Sequence, residues 1–353
     1  MGKRLIICVA LCVWVGALWP HGSKADQESF SRFHMPVSNP VYFGDPRNVT
    51  MVRPIYLYQR LPDEIEPAPG LKGLLREKLG TDKIPLDGHV NGFAVQLSYA
   101  FSQRLSFVAV KDGYVDCRPD GDALDWDDHN GWADIAAGVQ YSFWYRPDQD
   151  LVVTARLVYE LPSGTDSIFQ GNGDGNLAPS LLFLKGFGKL QVNGAIGLVL
   201  PMDTGEENTL FFDSWHVSYA VTNWFRPLVE LNHFHVLNAG DRDLEDALGK
   251  DVVEALPGLD GATIAEALHK TSKSNKWDDL VAAAASFNGC DIINLGGKDN
   301  DENADLVTLA IGARFRLTNW LDLGAIYEFP LTDDEEGMIE DRYMVDAMIT
   351  LHF

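Results

Sequence analysis

The last twelve residues of the chain alternate in character. Tyr343, Val345, Ala347, Ile349, Leu351 and Phe353 fall on one parity, and Arg342, Met344, Asp346, Met348, Thr350 and His352 on the other. A β-strand sends successive side chains to opposite faces, so this pattern demands a strand with one apolar and one polar side. The same alternation recurs. Leu151, Val153, Ala155, Leu157, Tyr159 and Leu161 oppose Val152, Thr154, Arg156, Val158 and Glu160, and Phe93, Val95, Leu97, Tyr99 and Phe101 oppose Ala94, Gln96, Ser98 and Ala100. After residue 25 no apolar run reaches the roughly 18 residues of a helical membrane span. The chain therefore reads as all-β.

The spacing predicts twelve strands: 51–60, 90–101, 103–116, 131–144, 150–162, 176–185, 188–201, 213–221, 224–237, 305–318, 320–331 and 341–353. Tight turns near Ser102, Pro147 to Asp150, Phe187, Asn223 and Asn319 alternate with long links at 61–89, 117–130, 163–175, 202–212, 238–304 and 332–340. Strands of about ten residues joined by alternately short and long connections are the pattern of a transmembrane antiparallel β-barrel of the bacterial outer membrane. An even strand number puts both chain ends on the side of the short turns, the periplasm. The net charge of −23, from 28 Lys plus Arg against 51 Asp plus Glu, excludes nucleic acid as a partner. The acids cluster in the long links, as at Asp120 to Asp128 and Asp333 to Asp341.

A soluble β-sandwich also alternates. Aromatic residues near strand ends (Tyr99, Phe101, Tyr141, Phe143, Trp144, Trp224, Phe225) favour the membrane, because such girdles mark its two interfaces. A terminal aromatic closing an alternating strand, Phe353, resembles the insertion signal read by the barrel assembly machinery. At the other end Lys3 and Arg4, the apolar run Leu5 to Leu18, and Ser23 and Ala25 form a signal-peptide pattern over 1–25. That leaves 26–353 as the barrel. Beyond residue 25 the cysteines are Cys117 and Cys290, both in predicted links on one side, and an oxidising export route permits a disulfide between them.

Several phrases resemble a family of Gram-negative outer-membrane proteins labelled after the meta-pathway of phenol degradation, in particular the transporter-like members of planctomycetes. They are NPVYFGDP at 39–46, RPIYLYQRLP at 53–62, GWADIAAGVQY at 131–141, YELPSG at 159–164, NLGG at 294–297 and YEFPLT at 327–332. The resemblance implies a channel or transporter-like role for small, hydrophobic or aromatic solutes. It implies no cofactor and supplies no catalytic residue. The helical-looking part of the insertion at 238–304, residues 241–287, has no counterpart there. Leu244, Leu248, Val252 and Leu256, then Ile264 and Leu268, then Trp277 to Phe287 give it helical spacing. An outer cap and a lid dipping into the lumen both fit.

The polar parity of the strands is the candidate lumen lining: Gln96, Ser98, Gln140, Ser142, Thr154, Arg156, Glu160, Gln191, Asn193, His216, Ser218, Glu230, Asn232, Arg314, Arg316, Glu328, Arg342 and Asp346. Opposed Arg and carboxylate groups would set a transverse field that selects solutes, or would fill and crosslink a narrow interior. Outer-membrane lipids and a small solute are then the expected partners. His216 and Ser218, two apart on one face, also raise a lipid-hydrolase reading, which needs a base on Ser218 and a group orienting that base. Trp215, Val217 and Tyr219 take the lipid parity, which turns this pair inward. A pore-lining role is therefore the primary expectation, with a closed structural barrel as the alternative. The loop acids match no full Ca²⁺ motif, and the histidines are too scattered along the chain for a zinc motif.

Overall fold

The computed structural model describes residues 30–65, 83–85, 87–120, 129–165, 168, 170–171, 173–204, 207–238, 305–332 and 338–351. The strands are β1 (Met51–Arg60), β2 (Glu64–Ile65), β3 (Ile84–Pro85), β4 (Gly88–Ala100), β5 (Leu105–Lys111), β6 (Tyr114–Pro119), β7 (His129–Trp132) and β8 (Ile135–Arg146). They continue as β9 (Leu151–Leu161), β10 (Asn176–Phe187), β11 (Leu190–Pro201), β12 (Thr209–Tyr219), β13 (Phe225–Asn238), β14 (Asp305–Arg316), β15 (Leu321–Pro330) and β16 (Asp341–Thr350). All but the small β2–β3 hairpin join one antiparallel sheet, in which β1 pairs with both β16 and β4. That double pairing closes the sheet into a barrel.

The barrel has twelve staves because two are broken into pairs of strands: β5 and β6 both lie along β4, and β7 and β8 follow them. The first break is a bulge at Asp112–Gly113. Gly113 has φ +130, and a Cβ there would stand 2.4 Å from the Phe93 carbonyl oxygen. The Asp112 carboxylate accepts from the Val95 amide (2.8 Å) beside the bulge. The second break, at Ala133–Asp134, has the same logic: Asp134 accepts from the amides of Ser163, Gly164 and Gly171, binding the neighbouring long link to the wall. A further register shift between Tyr141 and Trp144 explains why Phe143 and Trp144 both face outward.

At the short-turn end three turns share a device. The hydroxyls of Ser102, Thr222 and Thr318 accept backbone amides two or three residues ahead. The β8–β9 turn instead carries a 3₁₀ turn at Pro147–Gln149 that ends on Asp150 with φ 52.

Burial excludes the sandwich. In β9, Leu157, Tyr159 and Leu161 are exposed, whereas Thr154, Arg156 and Glu160 are buried. Along β12 the exposed residues are Trp215, Val217 and Tyr219 and the buried ones Ser214, His216 and Ser218. An apolar belt this continuous needs lipid to cover it. The interior is not an open pore. Residues 30–49 enter at the short-turn end, where Phe30 and Phe33 pack on Val152 and Leu184. They rise through the barrel to Tyr42, which packs on Phe212 and Phe234. The chain turns at Asn39 (φ 47), whose carbonyl accepts from the Phe43 amide. It then descends to Asn48, which bonds Ser142 and Ser106, and leads into β1. From the long-link end Met338, at φ 49, and Ile339 turn inward and are buried.

Several expectations need correction. Cys117 is not in a loop: it lies buried in β6, opposite His129 of β7, and Cys290 is outside the described residues. The link 61–89 contains the β2–β3 hairpin and ends a little early, at Gly88, and β12 begins at Thr209 rather than 213. Residues 1–29, the helical-looking 239–304 and Phe353 lie outside the described residues, as does most of the acidic stretch after Asp120.

Candidate functional site in the barrel interior

The segment 30–49 carries three prolines, Pro36, Pro40 and Pro46. It forms neither helix nor strand, so its backbone carbonyls and amides need partners from elsewhere. The polar parity of the wall supplies them. Arg314 donates through Nε to the Met35 carbonyl (2.7 Å) and through Nη2 to that of Pro36 (2.9 Å). Arg53 donates to the carbonyls of Pro36 (3.1 Å) and Val37 (3.0 Å). Both guanidinium groups grip Asp346, Arg314 through two parallel bonds of 2.8 Å each. Gln96 completes the group by accepting from Arg53 (3.0 Å) and donating to the Pro40 carbonyl (2.7 Å). Such an Arg–Asp–Arg cluster in a buried setting holds only while all three members are present. Deleting one leaves an uncompensated charge and costs about 3–5 kcal/mol.

Glu230 of β13 faces the other side of the same turn. Its carboxylate accepts from the amides of Val37 (2.9 Å) and Ser38 (2.7 Å), from the Ser38 hydroxyl (2.5 Å), and meets His216 Nδ1 at 2.6 Å. Asn232 donates to the Ser38 hydroxyl (3.0 Å) and to Glu328 (3.0 Å), and Thr308 also donates to Glu328 (2.6 Å). Arg342 lies 3.5 Å from Glu328 and donates to Gln59, whose amide in turn donates to the Met338 carbonyl.

The descending limb is held by a separate group. Arg156 donates to the Val41 carbonyl, a reach that Gly44 allows, since a Cβ there would stand 2.2 Å from the Arg156 guanidinium. Thr154 donates to the Pro46 carbonyl (2.6 Å), and Gln140 to those of Asp45 (3.2 Å) and Arg47 (3.1 Å). Arg47 ties the two limbs together. It pairs with Asp45 and donates to the carbonyls of Phe30 (3.0 Å) and Phe33 (2.6 Å). Apolar side chains of the segment fill the remaining space: Val41, Tyr42 and Phe43 join a cluster with Val158, Leu182 and Ile339, and Val37 joins one with Ile55, Leu228 and Met344. A small cavity of about 20 Å³ lies between the segment and the wall of β4, β5, β8 and β9, lined among others by Met35, Asp45, Arg47, Gln140 and Arg156.

The inward-parity candidates divide by partner. Gln96, Gln140, Thr154, Arg156, Gln191, Asn193, Glu230, Asn232 and Arg314 all bond the segment directly, Gln191 and Asn193 through His34. Ser142 bonds Asn48 and donates to the Pro46 carbonyl (3.5 Å). Asp346, His216 and Glu328 act one step behind, Ser218 behind His216 and Arg342 behind Glu328. Arg316 pairs with Asp322 (3.0 Å) and donates to the Phe33 carbonyl (3.4 Å), Glu160 pairs with Lys111 (3.0 Å), and Ser98 lines the cavity. Sequence reasoning missed Arg53, which carries the clamp as fully as Arg314, and missed the segment altogether. The signal for both was there: so many Arg, Gln and Asn side chains on one face need acceptors that the wall does not itself contain.

Ser218 has the base and the orienting group that the hydrolase reading requires. His216 Nε2 is 3.0 Å from the Ser218 hydroxyl and Nδ1 is 2.6 Å from Glu230. The three side chains are nevertheless buried, and Glu230 is committed to the segment's amides.

No family model matches the chain, and no curated protein matches it. Among solved structures, an outer membrane channel from Pseudomonas putida F1 aligns over 86% of this chain and 96% of its own, with TM-score 0.54 and 12% identity. The NanC porin aligns over 86% and 100% with TM-score 0.43 and 8% identity, and a KdgM porin in complex with disordered oligogalacturonate over the same shares with 0.40 and 9%. The likeness to the Pseudomonas channel is one of fold: this chain has the same closed antiparallel barrel. The two porins, at TM-scores below one half, add no argument. The resemblance to the phenol meta-pathway family rests on the quoted phrases alone.

Proposed function

We propose that the protein is an outer-membrane channel for small solutes, held shut by its own segment 30–49 and opened when that segment is displaced. The observation that carries this is the use made of the inner wall: side chains that would face a solute in an open pore are bonded to a piece of chain that crosses no membrane and pairs with no strand. A permanently filled barrel would do better with apolar packing, because buried ion clusters gain little stability over well-packed apolar groups of similar volume. Polar clamps suit a part that must dock in one register and leave. The mixed lining of Arg, carboxylate and apolar groups suits small amphiphilic or aromatic solutes, in line with the family resemblance.

In this reading residues 1–25 direct export, the short turns and both chain ends face the periplasm, and the acidic long links face outward. Outer-membrane lipid covers the belt, and the assembly machinery reads the end of the last strand. The test is planar-bilayer conductance of refolded full chain beside a variant lacking 30–48. The shortened barrel should conduct steadily and the full chain only in brief openings. A shortened barrel that still shows heat-modifiable gel migration yet passes no current would favour the closed structural barrel.

The hydrogen-bond relay Ser218–His216–Glu230 supports a second reading, a hydrolase unmasked by the same displacement. A serine-directed fluorophosphonate should leave the full chain unlabelled. Labelling of the shortened barrel that is lost in Ser218→Ala would favour the hydrolase.

A further inference from the structure

On the outer wall, polar residues interrupt the apolar belt across three neighbouring strands. It runs from Tyr219 through Val217 to Trp215 on β12, from Val229 to Leu231 on β13, and from Phe315 through Ile311 to Val307 on β14. Toward the long-link end the outward positions then include Asp213 on β12, His233 and His235 on β13, and Asp305 at the start of β14, with Phe211 and Leu237 beside them. Register makes them neighbours: Asp213 pairs with His233, and His235 with Asp305.

We propose that His233, His235 and Asp305 form a site for one divalent transition-metal ion of the zinc class, with Asp213 positioning His233. His233 Nε2 and His235 Nδ1 lie 2.9 and 2.8 Å from the same oxygen of Asp305. The three ligand atoms all fall within 4.8 Å of one another. A metal held at about 2.0–2.1 Å by imidazole nitrogen and carboxylate oxygen sets adjacent ligand atoms about 3 Å apart. The carboxylate already stands at that spacing from both rings. The other nitrogen of His233 is 2.8 Å from Asp213, and Trp215 Nε1 donates to the second Asp213 oxygen (2.8 Å). A carboxylate behind an imidazole fixes the tautomer that presents its far nitrogen to a metal, and such partners commonly strengthen metal binding.

Charge argues the same way: two carboxylates stand beside the two rings, and a divalent ion would offset both. Three protein ligands on a convex wall leave outward coordination positions for water or an anionic headgroup. The choice of imidazole points away from Ca²⁺ and Mg²⁺, which prefer oxygen.

The test is titration of the refolded full chain in detergent with Zn²⁺, and with Co²⁺ followed by its visible absorption. Folding of each variant is checked by heat-modifiable migration. One ion per barrel is expected. His233→Ala and His235→Ala should each weaken binding at least about 10-fold, and Asp213→Asn about 10- to 100-fold. His129→Ala on β7 should change nothing. The proposal fails if wild type takes up no stoichiometric ion, which leaves a hydrogen-bonded cluster only. It fails equally if the double variant His233→Ala/His235→Ala binds as wild type does, or if Ca²⁺ displaces Zn²⁺ at equal concentration, since both assign binding to the loop carboxylates.

Discussion

Val345 and Asp346 are adjacent in β16 and live in different solvents. Val345 is 47% exposed on the lipid side and makes no directional contact, while Asp346 holds Arg53 and Arg314, and through them the carbonyls of residues 35–37. The outer face is specified by a class of residue and the inner face by individual residues. Lipid asks only that side chains be apolar. The interior, with low dielectric and no bulk water, asks that every polar atom have a named partner.

The largest contrast should appear at that pair. Asp346→Ala is expected to lower stability by about 3–5 kcal/mol, because two buried guanidinium groups lose their shared counter-charge. It should also raise the open probability in bilayers at least tenfold. Val345→Ala should cost under about 1 kcal/mol, since burial in lipid is weaker than in a packed core. Equilibrium unfolding in detergent and single-channel recording give the two readouts, and similar losses at both positions would erase the distinction.

The outer face is permissive toward shape but not charge. Leu157→Arg, in the middle of β9, should destabilise by about 2–4 kcal/mol, the range for a cation at mid-belt, with open probability unchanged. Next comes Glu230→Gln. Trading charged hydrogen bonds for neutral ones should cost about 1.5–3 kcal/mol, and hydrogen exchange should accelerate at the Val37 and Ser38 amides while the β13 ladder stays protected.

An effect that only pH reveals is expected outside both faces, in the link after β11. Burial pushes the Glu207 carboxyl up, against the Asn176 amide that favours its charged form. The folded protein thus binds a proton that the unfolded chain releases near its ordinary value, so stability falls as pH rises above that value. The unfolding temperature of wild type should decline from pH 5 to 8, and Glu207→Gln should flatten that slope.

How much of this was legible follows from the same division. Alternation is local, so the strands, their facing and the tight turns could be read directly. Breaks such as Asp112–Gly113 could not, because the bulge is set by pairing with β4 and not by its own neighbours. The segment 30–49 was opaque for a sharper reason. It has no period, and its partners lie from 16 to 283 residues away, as with Arg53 on Val37 and Arg316 on Phe33. The His233, His235 and Asp305 cluster was hidden likewise, since the insertion separates the histidines from the aspartate and only register joins them.

The direct measurement is conductance with the segment tethered. Ser38→Cys and Asn232→Cys, whose native side chains meet at 3.0 Å, would be joined by a short reducible dithiol bridge in a Cys117→Ser/Cys290→Ser background. The bridged barrel should be silent in a planar bilayer, and brief openings should return on reduction. Equal current from the bridged and reduced barrels would mean that solutes pass without moving residues 30–49, and the segment would not be the gate.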